Sequence, residues 1–280
     1  MTRCLSQRAR CAASLFALAT LAACSDARSP VGVGKGPGVE PALGIDTSLY
    51  PGEPAMQAWR SSSPYAWTGY YLAAPCHRDA GWMGHRAALA GMGWGMAVIY
   101  VGQQDWANFD RIPVTANQLP AAQQVTCSAS LLTTQQGTAE ADDAIGKTAA
   151  EGFPAGAVIF LDVERVQTFS PALQAYVSAW VDRVLADGRF APGIYVHAFN
   201  AQQTYDLARS VYQGRGLAGR PRFWVTTSSG FSRFSDPTAV GFSFADAWQG
   251  EYDRAETWGG YGITVDVSTS STTSPSGAVR

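Results

Sequence analysis

The sequence predicts a single α/β domain, a (β/α)8 TIM barrel over residues 44–267. Two observations predict it. Short apolar runs alternate with helical patterns along about 225 residues, the sign of a parallel sheet wrapped in helices. Eight such runs fall within the usual ~250 residues of a closed barrel. An open doubly wound sheet is the alternative. Its Gly-rich phosphate loop is missing, because Gly91-Met92-Gly93-Trp94-Gly95 has the wrong spacing and precedes a strand.

The strand candidates are 44–48, 67–72, 96–101, 157–164, 193–197, 222–226, 245–249 and 263–267, most of them rich in β-branched and aromatic residues. The clearest helix covers 171–186. Leu173, Tyr176, Val177, Trp180, Val181, Val184 and Leu185 form the stripe of a helix packed on a sheet. Ser170 caps its first turn, Pro171 suits the first helical position and Gly188 suits the exit. Further helices are expected near 54–60, 79–91, 138–152 and 201–213.

The ends of the chain read differently. Arg3, Arg8 and Arg10 precede an apolar run at 12–23, too short to span a bilayer as a stable helix. The run ends in Leu21-Ala22-Ala23-Cys24, which resembles a bacterial lipobox. Residues 1–23 are therefore expected to be a lipoprotein signal peptide, with Cys24 lipidated and anchored in a membrane. An ordinary secretory signal is the alternative. Glycine and proline dominate 25–43, so 24–43 reads as the lipidated Cys and a flexible tether. Residues 268–280, rich in Ser and Thr, read as a disordered tail.

Of five Cys, Cys4 and Cys11 leave with the signal and Cys24 takes lipid. Cys76 and Cys127 remain as an even pair in an oxidising compartment, which predicts a disulfide; two buried thiols are the alternative. There is no CxxC and no His/Cys ligand spacing, so no metal and no cofactor are expected. A net charge of −2 gives no electrostatic reason for binding nucleic acid, and a monomer is expected. Apolar residues make up 46% and charged residues 15%, which suits one large core. Nine Trp suit that core as well, although aromatic rings also stack on sugars.

The fourth strand reads Val158-Ile159-Phe160-Leu161-Asp162-Val163-Glu164. Side chains alternate across a strand, so Asp162 and Glu164 share one face while Ile159, Leu161 and Val163 face the helices. Inward carboxylates at a strand's C-terminal end sit where barrels place active sites. A pair that merely caps or bonds to Arg165 or Arg78 is the bland alternative. Asp46 and Asp266 occupy similar contexts in the first and eighth strands, which meet when a barrel closes. Four acids in one mouth would raise the pKa of at least one, and a protonated acid beside a carboxylate is what glycoside cleavage requires.

The blocks Gly44-Ile45-Asp46-Thr47-Ser48, Asp162-Val163-Glu164, Pro192-Gly193-Ile194-Tyr195, Trp248-Gln249 and Val265-Asp266-Val267 resemble the strand motifs of glycoside hydrolase family 25 lysozymes. More closely, 44–267 resembles the bacterial glycoside-hydrolase-like barrels grouped as domain of unknown function 1906. Gly69-Tyr70-Tyr71, Cys76-His77-Arg78-Asp79 and Ile99-Tyr100-Val101-Gly102-Gln103-Gln104 carry that likeness. The resemblance implies Glu164 as proton donor with Asp162 beside it. It implies Asp46 and Asp266 as shapers of the pocket, Tyr195 and Trp248 as its floor and wall, and Gln249 and Tyr71 among the substrate-binding residues. It implies a peptidoglycan-like substrate cut at an N-acetylmuramyl linkage. The segment 104–137 has no counterpart in compact lysozymes and could narrow or cover the cleft. Of the three His, His197 ends a strand at the rim.

The expected function is thus that of an exported envelope lipoprotein, glycoside hydrolase-like, acting on peptidoglycan or a related glycan by carboxylate acid/base chemistry. A non-catalytic glycan-binding barrel and a structural envelope lipoprotein are the alternatives.

Overall fold

The computed structural model describes residues 40–108 and 126–277. The expected signal peptide, Cys24 and nearly all of the tether lie outside the described residues, as does the middle of the 104–137 segment.

Eight strands close into one barrel in sequence order. They are β1 (Ala42–Asp46), β2 (Trp67–Tyr71), β3 (Gly95–Tyr100), β4 (Val158–Val163), β5 (Ala191–His197), β6 (Arg222–Thr226), β7 (Ala245–Trp258) and β8 (Tyr261–Ser270). Five helices cover the first five crossovers: α1 (Glu53–Ser62), α2 (Arg86–Gly91), α3 (Thr134–Ala150), α4 (Pro171–Asp187) and α5 (Ala198–Gly214). The eight-stranded barrel with intervening helices is the predicted architecture.

The last third departs from regular alternation. Strands β1 to β7 pair in parallel, whereas β8 runs antiparallel to both β7 and β1. No helix separates β7 from β8. They join through Gly259 and Gly260, with φ of 57° and 86°, the left-handed pair that a two-residue hairpin turn requires. Because Asp266 pairs with Asp46, the last residue of β1, the part of β8 before Asp266 extends past the end of β1. The base of the hairpin, at Tyr252 and Asp253, borders the mouth, and its tip turns back onto α1, where the Tyr261 carbonyl accepts from Trp59 Nε1 at 2.8 Å.

Alternation along β4 sorts the core as expected. Ile159, Leu161 and Val163 join the large cluster between barrel and helices. Val158 and Phe160 fill the barrel with Trp67, Ala97, Ile99, Trp224 and Ala247. Trp67 meets Trp224 edge-on at 5.3 Å. A Cβ on Gly44 would lie 2.0 Å from the Trp67 ring, so only glycine lets that indole cross under β1. The buried indoles bond outward: Trp67 Nε1 donates to the Ala42 carbonyl at 3.2 Å and Trp224 Nε1 to Ser268 Oγ at 3.1 Å. These two Trp plug the barrel, so only its upper end is open to chemistry.

Helix α4 starts and stops as its sequence predicts. Ser170 Oγ accepts from the Leu173 N–H at 3.2 Å, and Gly188 adopts φ 73°. The disulfide between Cys76 and Cys127 forms, with Cα atoms 4.9 Å apart. It ties the β2–α2 connection to the segment that follows β3.

The Ser/Thr-rich end corrects the expectation of a disordered tail from 268. Ser268 to Ser270 complete β8 and are buried. Ser276 Oγ accepts from the Val98 N–H at 2.7 Å, and the Ser276 carbonyl accepts from the Val158 N–H at 3.2 Å. Ser276 thus occupies the seam below the point where the β3–β4 ladder begins. Hydroxyls that read as solvating in the sequence are here used as strand-end acceptors.

Candidate active site

The four acids expected at the mouth do converge there. Asp46 and Asp266 are register partners across β1 and β8. Asp162 ends the inward face of β4 above Phe160, and Glu164 lies one residue past that strand. The Gln104 side chain holds this turn: its Nε2 donates to the Asp162 carbonyl at 3.0 Å and its Oε1 accepts from the Glu164 N–H at 3.1 Å.

Gln249 is the hub of the cluster. Its side chain is 1% exposed. Nε2 donates to Asp46 Oδ2 at 2.9 Å and to Asp266 Oδ2 at 3.1 Å. Oε1 accepts from Tyr195 Oη at 2.5 Å and from Thr226 Oγ1 at 2.9 Å. Both donors and both acceptor sites of one amide are thereby used. Tyr71 Oη completes the set by donating to Asp46 Oδ1 at 2.8 Å.

A cavity of about 580 Å³ opens above this network. Glu164 and Asp266 are in its wall, together with Tyr195 and with Tyr252 and Asp253 of the hairpin. Arg165, His197 and Thr226 continue the wall. Asp46 and Asp162 are 5% and 9% exposed and lie beneath the two lining acids. Asp162 Oδ1 is buried without a hydrogen-bond partner among the described residues. A smaller cavity of about 370 Å³ lies outside the hairpin beside Tyr50 and Tyr261, and no charged side chain lines it.

Burial is the leading influence on every acid of the cluster. It lifts Asp46 to about 7, with help from the Asp266 charge and opposed by the Tyr71 and Gln249 hydrogen bonds. It pushes Asp162 well above the ordinary carboxylate range, and the charges of Glu164 and Asp46 add to that. Glu164 is also raised by burial; the Arg165 N–H partly offsets this and the Asp266 charge adds to it. Asp266 is raised by burial too, against the pull of the Asp253 N–H. Two N–H groups bond to the Asp266 carboxylate: Gln249 Nε2, and the Asp253 N–H at 2.8 Å. In the lining pair, the negative charge is therefore best held by Asp266 and the proton by Glu164.

Asp253 was not visible as a site residue in the sequence. Two register shifts between Gln249 and Arg254 bulge β7 and place Asp253 at φ 52°, a left-handed backbone rare outside glycine. That geometry aims its N–H at Asp266. Thr226 and Tyr252 were missed as well; Thr226 Oγ1 and Tyr252 Oη lie 2.7 Å apart. Among the expected site residues, Trp248 is corrected. Gln249 faces inward, so its neighbour Trp248 faces out: it is 1% exposed, bonds to the Thr227 carbonyl and packs edge-on against Phe231. Trp248 does not line the cavity. Gln249 and Tyr71 hold acids rather than facing the cavity. Among the described residues, no group of His, Cys, Asp and Glu is arranged to hold a metal ion.

The architecture recurs in solved structures. The spore cortex lytic enzyme SleM of Clostridium perfringens is 12% identical, with a TM-score of 0.52 over 84% of this chain and 68% of that one. GHIP, a glycosyl hydrolase 25 of Streptococcus pneumoniae, is 14% identical, with a TM-score of 0.51 over 82% and 87%. The modular autolysin LytC of Streptococcus pneumoniae, solved with a synthetic peptidoglycan ligand, is 12% identical, with a TM-score of 0.50 over 81% and 46%. At these identities the likeness is one of fold. No curated protein sequence matches the chain. The pattern of the Rv2525c-like, glycoside hydrolase-like domain matches residues 57–270, from α1 to the last residue of β8, and the chain belongs to that family.

Proposed function

We propose that the chain is an envelope lipoprotein, lipidated at Cys24, that hydrolyses peptidoglycan or a related cell-envelope glycan. One observation carries the reading. A cavity large enough for a sugar ring opens at the C-terminal end of the barrel strands, with Glu164 and Asp266 both in its wall. Glycan-lytic proteins share the fold, which supports a glycan substrate.

In this reading the protonated Glu164 gives its proton to the glycosidic oxygen as the bond to the anomeric carbon breaks. Asp266, ionised and held by two N–H donors, faces the positive charge that develops on the sugar. The sugar's own acetamido group can share that task. Water then adds to the anomeric carbon and returns a proton to the Glu164 carboxylate. Asp162, expected to be Glu164's catalytic partner, becomes a buried acid beneath it that keeps the pair short of charge. The chain acts as a monomer outside the cytoplasm, held to the membrane by its lipid.

The test is Glu164→Gln on purified cell wall. Release of new reducing ends should fall by about 100-fold or more, the usual contribution of a general acid, while sedimentation with the wall and thermal stability persist. A wild type that binds the wall and releases nothing would make the chain a glycan-binding module. Equal release by both proteins would remove Glu164 from the chemistry.

A further inference from the structure

The surface of the barrel is not evenly apolar. Six large hydrophobic side chains are exposed among the described residues: Leu49, Phe199, Leu217, Phe234, Tyr252 and Tyr261. Leu49 and Tyr261 line the smaller cavity, whereas Tyr252 lines the acidic one and Phe199 bonds to His197 in its wall. Leu217 lies at the opposite end of the barrel, before β6. Exposed rings beside an acidic cavity mark a binding face.

Phe199 is the one tied most closely to the cavity. It is 59% exposed, in the first turn of α5. Its N–H donates to His197 Nδ1 at 3.0 Å, and His197 lines the cavity. The Arg165 guanidinium, also from the cavity wall, lies 4.9 Å from the Phe199 ring centroid. The cation covers one face and steadies the ring, yet more than half of the residue still meets solvent. Tyr252, 40% exposed, is fixed by its hydroxyl contact to Thr226, the register partner of His197 on the neighbouring strand. Glu164 and Asp266 lie in the wall of the same cavity.

We infer that Phe199 is the platform of an outer sugar subsite, on which a pyranose ring of the glycan stacks while the neighbouring sugar occupies the acidic cavity. This rests on the proposed glycan reading and deepens it: the substrate is an oligomer that runs out of the acidic cavity over Phe199, not a single sugar. A ring edge and face without charge suit the apolar face of a neutral N-acetylated sugar.

The experiment is calorimetric binding of β-1,4-linked N-acetylglucosamine oligomers of two to six units to the full chain, its Phe199→Ala variant and its Phe199→Trp variant. Wild type should gain affinity with each added unit until the platform is filled. In Phe199→Ala that gain should shrink about tenfold, the effect of one stacked ring, and Phe199→Trp should keep it. The exposed ring contributes little to the core, and matching melting curves will show that the variants fold. An unchanged length dependence in Phe199→Ala, or an equal loss at every length, overturns the platform and leaves the glycan reading standing. A wild type that binds no oligomer of any length, nor cell wall, overturns both.

Discussion

Asparagine in place of Asp46 is expected to stabilise the protein at neutral pH. Asp46 is 5% exposed, and burial with the Asp266 charge raises its pKa from 3.8 to about 7. Between those values the folded chain holds a proton that the unfolded chain has released. Stability from this group is therefore complete below about pH 4 and is lost as pH rises through 7. A gap of about three units at ~1.4 kcal/mol each gives a loss of about 4 kcal/mol by pH 8. That is an upper figure, because the four acids titrate as a set. At ~2–4 °C per kcal/mol for a chain of this size, the melting temperature should fall by about 10 °C. The substituted asparagine keeps the shape and the bonds. Its carbonyl accepts from Gln249 and its amide N–H donates to Tyr71 Oη, the hydroxyl having turned to accept. Scanning calorimetry from pH 4.5 to 8.5 should give a falling curve for wild type and a flatter one for Asp46→Asn. The two should meet at the acid end. A variant less stable than wild type by the same amount at every pH would refute the reasoning. Asp46 would then be an ordinary ionised acceptor that only maintains the barrel.

Gln249→Leu leaves Asp46, Asp266 and Tyr195 short of their shared partner, so it should lose about 3 kcal/mol in a denaturant titration, and the rate on cell wall should fall more in kcat than in KM. Replacing Cys76 and Cys127 together by serine opens a loop spanning 51 residues. By the loop-entropy relation that is about 4 kcal/mol, and reduction of wild type should lower the melting temperature to that of the double variant.

Much of the fold was legible because β4 obeys a simple period. Asp162 and Glu164 share a face while Ile159, Leu161 and Val163 share the other, and the structure keeps that division. The hairpin was harder. Its arms carry Glu251, Asp253, Arg254 and Glu256, charges that hide a strand. The signal was nonetheless present in Trp258-Gly259-Gly260-Tyr261, two glycines between aromatic residues, which is a hairpin turn. The site was legible as a set of acids but not as a set of roles. Which acid lines the cavity depends on the bulge at Asp253 and on the depth of Asp162, and neither leaves a mark in the sequence. Trp248 misled because aromatic residues beside a site residue alternate away from it. The buried serines of 268–276 misled because composition alone does not distinguish a solvated hydroxyl from one that caps a strand end.

The most direct test is a crystal structure of the Glu164→Gln chain with a muramyl–glucosaminyl oligosaccharide. The glycosidic oxygen should lie within hydrogen-bonding distance of residue 164, with Asp266 on the opposite side of the anomeric carbon and Asp46 and Asp162 out of contact beneath. Sugar density that avoids this cavity, or a glycosidic bond far from both Glu164 and Asp266, would contradict the assignment of the mouth as a site of glycan cleavage.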